Sequence, residues 1–140
     1  MVSVGKQAAG RLYEIAGKLN AAGAAAYLSD VKVLDAYGLA SLYPLRCRKS
    51  PGGYTAKDLD AWSREHKAPI AILQTEWADI ARVIPENWSK VAEWQIPHNV
   101  VFGDTTVAFF ATGPLEPATI KRYLTEFQKT APPKLRLDLF

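Results

Sequence analysis

Apolar residues recur every three or four positions within the first 22 residues of the chain. This spacing predicts an amphipathic helix, with Ser3 as its N-cap and Gly23 at its end. Residues 27–49 mix helical and alternating patterns, and within them we interpret the run from Val31 as a strand. The apolar stripe of the first helix consists of Ala8, Leu12, Ile15, Leu19 and Ala22.

The strongest break in the chain is Ser50-Pro51-Gly52-Gly53, which we interpret as a loop within one domain. A helix is predicted directly after this loop, because Thr55 is a good N-cap and an acidic residue, Asp58, stands three positions later. Pro69 ends this helix. The short apolar run Ile70–Leu73 then has the length and composition of a buried strand.

The second half of the chain predicts two further helices, a hairpin and a final helix. Helical spacing covers residues 76–83 and 85–94. β-branched and aromatic residues on either side of Gly103-Asp104 predict a hairpin over residues 100–110. The last amphipathic helix spans residues 118–129. Together these elements indicate an α+β fold of about four helices packed on a small mixed or antiparallel sheet.

Length and composition indicate a single domain. We expect residues 1–130 to form it, followed by the proline-led segment 131–140. The 140 residues, 49% of them hydrophobic, are enough to bury a normal core. The single cysteine, Cys47, excludes an internal disulfide and a multi-cysteine zinc site and suits a reducing cytoplasm. We expect no signal peptide, because residues 1–6 lead directly into a polar helix, and no membrane partner, because no apolar run approaches the ~20 residues of a membrane span.

The sequence offers few candidate catalytic side chains. His98 precedes a predicted strand, where a general base can sit, but a locally bonded loop histidine is the commoner case. Cys47 is flanked by Arg46 and Arg48, which would make its thiol more acidic, yet no histidine stands at an identifiable partner position. No spacing matches a metal site or a glycine-rich phosphate cradle. We therefore expect no enzymatic activity, no cofactor and no metal.

Basic residues are concentrated on both sides of the 50–53 loop. The chain has a net charge of +3 and a pI near 9.0, and this basic cluster is its best candidate for nucleic-acid contact. Acidic residues such as Asp58 and Asp60 are interleaved with it, which is typical of an ordinary charged surface. The helices at 76–83 and 85–94 with the following hairpin resemble a winged helix in outline. The basic cluster consists of Arg46, Arg48, Lys49, Lys57 and Arg64.

The C-terminal segment is unusually apolar for a chain end. Three leucines alternate strictly with two charged residues, which is the pattern of a half-buried strand. Such a strand either closes the chain's own sheet or pairs with the edge of a neighbouring copy. In a third arrangement, Pro132 and Pro133 hold the segment off the domain as a docking peptide. The segment contains Leu135, Arg136, Leu137, Asp138, Leu139 and Phe140.

The last five residues, Arg-Leu-Asp-Leu-Phe, resemble the Gln-Leu-Ser/Asp-Leu-Phe motif by which bacterial replication and repair proteins dock on the sliding clamp. Four of the five positions agree, and Arg136 replaces the glutamine. The resemblance implies that Leu137, Leu139 and Phe140 fill a hydrophobic cleft of the clamp, while Asp138 takes the small polar position. It covers five of the 140 residues and implies nothing about the globular part.

Three functions follow as hypotheses. The first is a non-enzymatic accessory or inhibitory protein of DNA replication or repair that docks on the sliding clamp in the cytoplasm of a bacterial or phage-infected cell. The alternative is a phage tail or neck assembly subunit, located in the virion, whose C-terminal strand pairs with a neighbouring copy. The order of the first helix, the Val31 strand, the polar helix and the strand at Ile70 is similar to tail-terminator-like proteins. The third is a winged-helix DNA-binding protein.

Overall fold

The residues that the structure describes form five strands and four helices. The structure is a computed structural model, and it describes residues 16–19, 34–38, 41–95, 106–131 and 133–140. The strands are β1 (Ala16–Leu19), β2 (Ile70–Leu73), β3 (Ser89–Gln95), β4 (Thr106–Ala111) and β5 (Arg136–Leu139). The helices are α1 (Leu42–Lys49), α2 (Ala56–Glu65), α3 (Ala78–Ala81) and α4 (Pro117–Gln128).

Helix α2 begins at a capping box, as its sequence predicts. The Thr55 backbone N–H donates to the Asp58 carboxylate at 2.8 Å, and the Asp58 backbone N–H donates to the Thr55 hydroxyl at 3.3 Å. Two backbone donors at the helix N-terminus are thereby satisfied. The helix predicted after the 50–53 loop and the strand predicted at Ile70–Leu73 are both confirmed.

The strands form one sheet with the order β1-β2-β4-β3-β5. β1 runs parallel to β2, and all other neighbours are antiparallel. The predicted α+β class with a small mixed sheet is confirmed. The C-terminal strand lies at one edge of the sheet, next to β3.

The side chains of β4 alternate between two hydrophobic cores. Ala108 and Phe110 belong to the first core, on the side where Leu59 and Trp62 of α2 pack. Phe109 belongs to the second core, and it is 1% exposed. Because successive side chains of a strand point to opposite faces, β4 connects the two cores through the sheet.

Helix α4 covers the second core, and its helical spacing is the predicted one. Ile120 and Leu124, four residues apart, are fully buried. Phe127 is half-buried and packs against the same core. The predicted final helix over residues 118–129 is thus confirmed, with its inward face as expected.

The helix predicted over residues 85–94 is wrong, because Ser89–Gln95 is the strand β3. Trp88, Val91 and Trp94 are spaced like one face of a helix, which is what the prediction used. In the structure, Val91 and Ala92 are adjacent and both buried, since the register of β3 against β4 shifts between Lys90 and Ala92. This irregularity removes the alternation by which a strand is normally identified.

Three other predictions also change. The first amphipathic helix is wrong at Ala16–Leu19, which forms β1, and its remaining residues lie outside the described ranges, as does the run Val31 to Val33. In the helix predicted at 76–83, only Ala78–Ala81 is helical. The hairpin predicted over 100–110 keeps its second strand as β4. The residues predicted as its first strand, 100–102, and the turn after them lie outside the described ranges, and β4 pairs with β2 and β3.

Truncation of one buried and one exposed leucine compares how much each contributes to the free energy of unfolding. We expect Leu124→Ala to lower the free energy of unfolding by about 2–5 kcal/mol, because it leaves a cavity under α4. Leu42→Ala is the matched control, since Leu42 is 63% exposed on α1 and should cost less than about 0.5 kcal/mol. Urea unfolding followed by tryptophan fluorescence measures both. Equal losses in the two variants would contradict the assignment of Leu124 to the core.

Candidate partner-binding site

The C-terminal segment completes the chain's own sheet. β5 pairs with β3 in antiparallel register, with Leu137 opposite Trp94. The Phe140 backbone N–H extends this pairing by donating to the Val91 carbonyl oxygen at 3.0 Å. Of the arrangements open from the sequence, the structure therefore has the first, in which the alternating residues form a strand of their own domain, and the segment is not held off the domain by the prolines.

The side chains of this segment differ in burial along its length. Leu137 is half-buried and packs on the second core, together with Trp94 and Phe127. Leu139 is 50% exposed and Phe140 is 56% exposed, and both are among the most exposed large apolar side chains of the described residues. The last two residues therefore present exposed apolar side chains at the edge of the sheet.

Charged groups surround this apolar end. Arg136 Nη2 lies 3.1 Å from Asp138 Oδ2 on the outer strand. Lys90 Nζ lies 4.8 Å from the centre of the Phe140 ring and also pairs with Glu93. The ammonium group over the ring is a cation–π contact, worth about 0.5–1 kcal/mol at an exposed site. It holds Phe140 against β3 without burying it, and no local sequence signal relates Lys90 to Phe140.

Two buried polar atoms lie against the start of the segment without a hydrogen-bond partner among the described residues. They are the indole nitrogen of Trp94 and the side-chain oxygen of Gln128. Gln128 Nε2 donates to the Leu135 carbonyl oxygen at 2.6 Å, and Trp94 is the register partner of Leu137.

The basic cluster is spread over two helices. Arg46, Arg48 and Lys49 lie in the last turn of α1, while Lys57 and Arg64 lie near opposite ends of α2, and all five are exposed. The winged-helix outline is wrong, because its second helix is the strand β3. Contact with nucleic acid stays a prediction for the cluster alone.

Two members of the cluster have intramolecular partners. Arg64 Nη2 lies 2.8 Å from the buried carboxylate of Asp60, which also accepts the Trp88 indole N–H at 2.9 Å. Arg48 Nη1 donates to the Tyr37 carbonyl oxygen at 2.5 Å, and its guanidinium lies over the rings of Tyr37 and Tyr54. These two arginines therefore help to fix the fold, which leaves less of the cluster's charge for a ligand.

A surface cavity of about 400 Å³ lies beside the 50–53 loop and was not foreseen from the sequence. Arg48 and Arg82 line it together with Gly52 and Gly53. Asp79 also lines the cavity and pairs with Arg82, so this arginine is neutralised in place. The cavity thus offers little uncommitted charge for an anion.

The environment of Cys47 is the reverse of the one expected for a nucleophile. The thiol is half-buried on α1, and burial raises its pKa, a hydrogen bond with Tyr43 lowers it, and the charge of Asp58 raises it again. The prediction that the neighbouring arginines make it more acidic is therefore wrong. Arg48 is directed at Tyr37 and Tyr54, and burial is the largest cause of the raised pKa of the thiol.

The remaining candidate groups were the metal-binding side chains and the two histidines. Among them, no three His, Cys, Asp or Glu side chains are grouped in a way that would hold a metal ion. His66 follows α2 with its ring edge-on to Trp62 at 6.1 Å, and His98 lies outside the described ranges. None of the helices that the structure describes is long and apolar enough to span a bilayer.

Comparison with known proteins identifies a family. The family described as a domain of unknown function, DUF8728, matches residues 17–110, which is more than half of the 140-residue chain, and the chain belongs to it. The matched range includes most of β1, all of β2 and β3 and most of β4, and it ends before α4 and β5. The search of curated proteins and the search of solved structures gave no match. The candidate site at β5 thus lies outside the matched range.

The raised pKa of Cys47 predicts a slow thiol. A thiol whose pKa is one unit higher has about tenfold less thiolate near neutral pH, and thiolate is the reactive form. We expect iodoacetamide to alkylate Cys47 at pH 7.5 more slowly than it alkylates glutathione, with a rate that still rises above pH 9. Tyr43→Phe should slow the reaction further, because the hydrogen bond with Tyr43 lowers the pKa.

The control for this measurement is the protein unfolded in urea, where Cys47 should react like a free thiol. A native rate equal to or above that of glutathione would contradict the raised pKa.

Proposed function

We propose that this DUF8728 protein is a non-enzymatic accessory or inhibitory protein of DNA replication or repair, acting in the cytoplasm of a bacterial or phage-infected cell, and that it docks on the sliding clamp through its C-terminal residues. The observation that carries the proposal is the exposure of Leu139 and Phe140, the last two positions of a five-residue sequence that resembles the clamp-docking motif. Exposed Leu and Phe side chains at successive positions are the kind of group that a hydrophobic cleft binds.

Docking in a cleft needs Leu137 as well, and this residue is half-buried on the second core. Full engagement therefore requires β5 to leave β3 and give up its pairing. Two features reduce this cost: β5 is short, and it lies at the edge of the sheet. A micromolar, exchangeable contact is the strength consistent with these terms.

A second function, the assembly subunit, is favoured by a different observation. In the described sheet, β5 has a neighbouring strand on one side only, and exposed edges are where strands of other chains add. A neighbouring copy is the partner in that case, and a virion the location.

The isolated peptide tests clamp docking without the need for release. We expect a fluorescent peptide of residues 134–140 to bind a purified bacterial sliding clamp with a Kd of roughly 1–100 µM in anisotropy measurements. Phe140→Ala should weaken binding by tenfold or more, because burial of a Phe side chain is worth about 1.5–3 kcal/mol. In the full chain, Phe140→Ala should also weaken binding. Leu42→Ala, another exposed apolar position, should bind like the parent chain.

Absence of saturable binding by the peptide up to about 100 µM would rule out the clamp as the partner.

Arg136 occupies the position of the motif's glutamine. Restoring the glutamine tests the motif by an expected gain in affinity. We expect the peptide with Arg136→Gln to bind the clamp about two- to tenfold more tightly, because it regains a hydrogen bond worth roughly 0.5–1.5 kcal/mol. Lys134→Gln is the matched control, since it removes the same charge outside the motif and should leave the Kd within about twofold of the parent peptide. A tighter complex with both variants would indicate a charge effect instead of the motif contact.

A further inference from the structure

We propose that two copies of the chain pair through the outer edges of β5, antiparallel and two-fold symmetric about Leu137. This inference is independent of clamp docking. It specifies the register and symmetry that the assembly alternative leaves open. The occupant of the edge is a second copy, because the sequence of β5 is complementary to itself when it is read in the opposite direction.

The backbone of β5 has the right orientation for this pairing. Phe140 donates its N–H to Val91 of β3. Alternate residues of a strand direct their N–H and C=O groups to opposite edges. The backbone N–H and C=O of Asp138 therefore point to β3, as those of Phe140 do. The backbone groups of Leu137 and Leu139 point to the outer edge. A two-fold axis at Leu137 lets the two Leu137 residues exchange both of their backbone hydrogen bonds.

The charged side chains match in the same register. Antiparallel pairing about Leu137 places Arg136 of each copy directly opposite Asp138 of the other. Both residues lie on one face of β5, where they already contact each other at 3.1 Å within the chain. Opposite charges across a strand pair stabilise it, and like charges destabilise it, by roughly 0.2–1 kcal/mol per pair. Any other pairing of these two positions places like charges opposite each other or leaves a charge without its partner.

The apolar side chains match as well. Leu137 faces Leu137 across the axis, and Leu139 faces Leu135 of the other copy. Leu139 is 50% exposed in the single chain, so the pairing buries apolar surface that is otherwise in water. The half-buried Leu137 side chains would extend the second core of each copy across the interface.

The expected complex is a weak closed dimer. A two-fold pair uses the same edge on both copies, so it terminates instead of growing into a ring or filament. The strand pair is smaller than the ~1,200–2,000 Å² interfaces of stable complexes, so we expect a Kd of about 10–500 µM. The two copies would form one continuous sheet with the two β5 strands at its centre.

Reversal of single charges tests the register in the full chain. Sedimentation velocity from about 5 to 500 µM should show a monomer–dimer equilibrium for the parent chain. Arg136→Asp and Asp138→Arg should each weaken self-association at least about tenfold, since each places two like-charge pairs across the axis. An equimolar mixture of the two variants should associate again, to within about threefold of the parent, because the cross-pairs are opposite in charge.

The equimolar mixture distinguishes loss of contacts between two copies from loss of contacts within one chain. Each variant also loses its internal contact between residues 136 and 138, and mixing cannot restore that contact. Native mass spectrometry distinguishes the heterodimer from both homodimers by mass, and far-UV circular dichroism checks that each variant is folded. A parent chain that stays monomeric at about 500 µM, a species larger than a dimer, or a mixture no more associated than its components would each overturn the proposal.

The clamp experiment uses the isolated peptide and this one uses the full chain alone. Either proposal can therefore fail while the other stands.

Discussion

The structure depends on the burial of β4 on both of its faces. This strand has no polar face, since Phe109 packs under α4 while Ala108 and Phe110 pack on the side of α2. A strand of this kind is stable only when helices cover both sides of the sheet and when both of its edges are paired. β2 and β3 provide the edges, so the exposed ends of the sheet fall on other strands, and one of them is β5.

Much of the fold was predictable where a signal is local. Thr55 and Asp58 define the start of α2 by a hydrogen-bond exchange within four residues, and Ile120 and Leu124 identify the inward face of α4 by spacing alone. The alternation of leucines with Arg136 and Asp138 likewise predicts a strand. In each case the segment's own residues carry the whole pattern, and the tertiary structure agrees with it.

The failures occur where a register shift interrupts the pattern. β3 buries Val91 and Ala92 in succession, so its burial does not alternate, and the register of β1 against β2 also shifts between Ala16 and Lys18. The spacing that remains fits a helix better than a strand. The pattern of a single segment cannot predict such a register shift, because the shift is defined by the pairing with the partner strand. The same holds for the candidate site, where Lys90 lies over Phe140 only because the fold brings β3 and β5 together.

The position of β5 determines how each of the two proposed partners, a clamp cleft and a second copy, would use this short segment. An alternating segment in extended conformation has two separate means of recognition, its side chains and its outer backbone edge. A cleft that binds Leu137, Leu139 and Phe140 uses the side chains, and it competes with the second core for Leu137. A second copy uses the outer edge, and it leaves the contact of β5 with β3 intact. Pairing between copies therefore stabilises the docked strand, whereas cleft binding requires its release. A chain that did both would have its self-association weakened by the cleft-bearing partner, because the two states of β5 exclude each other.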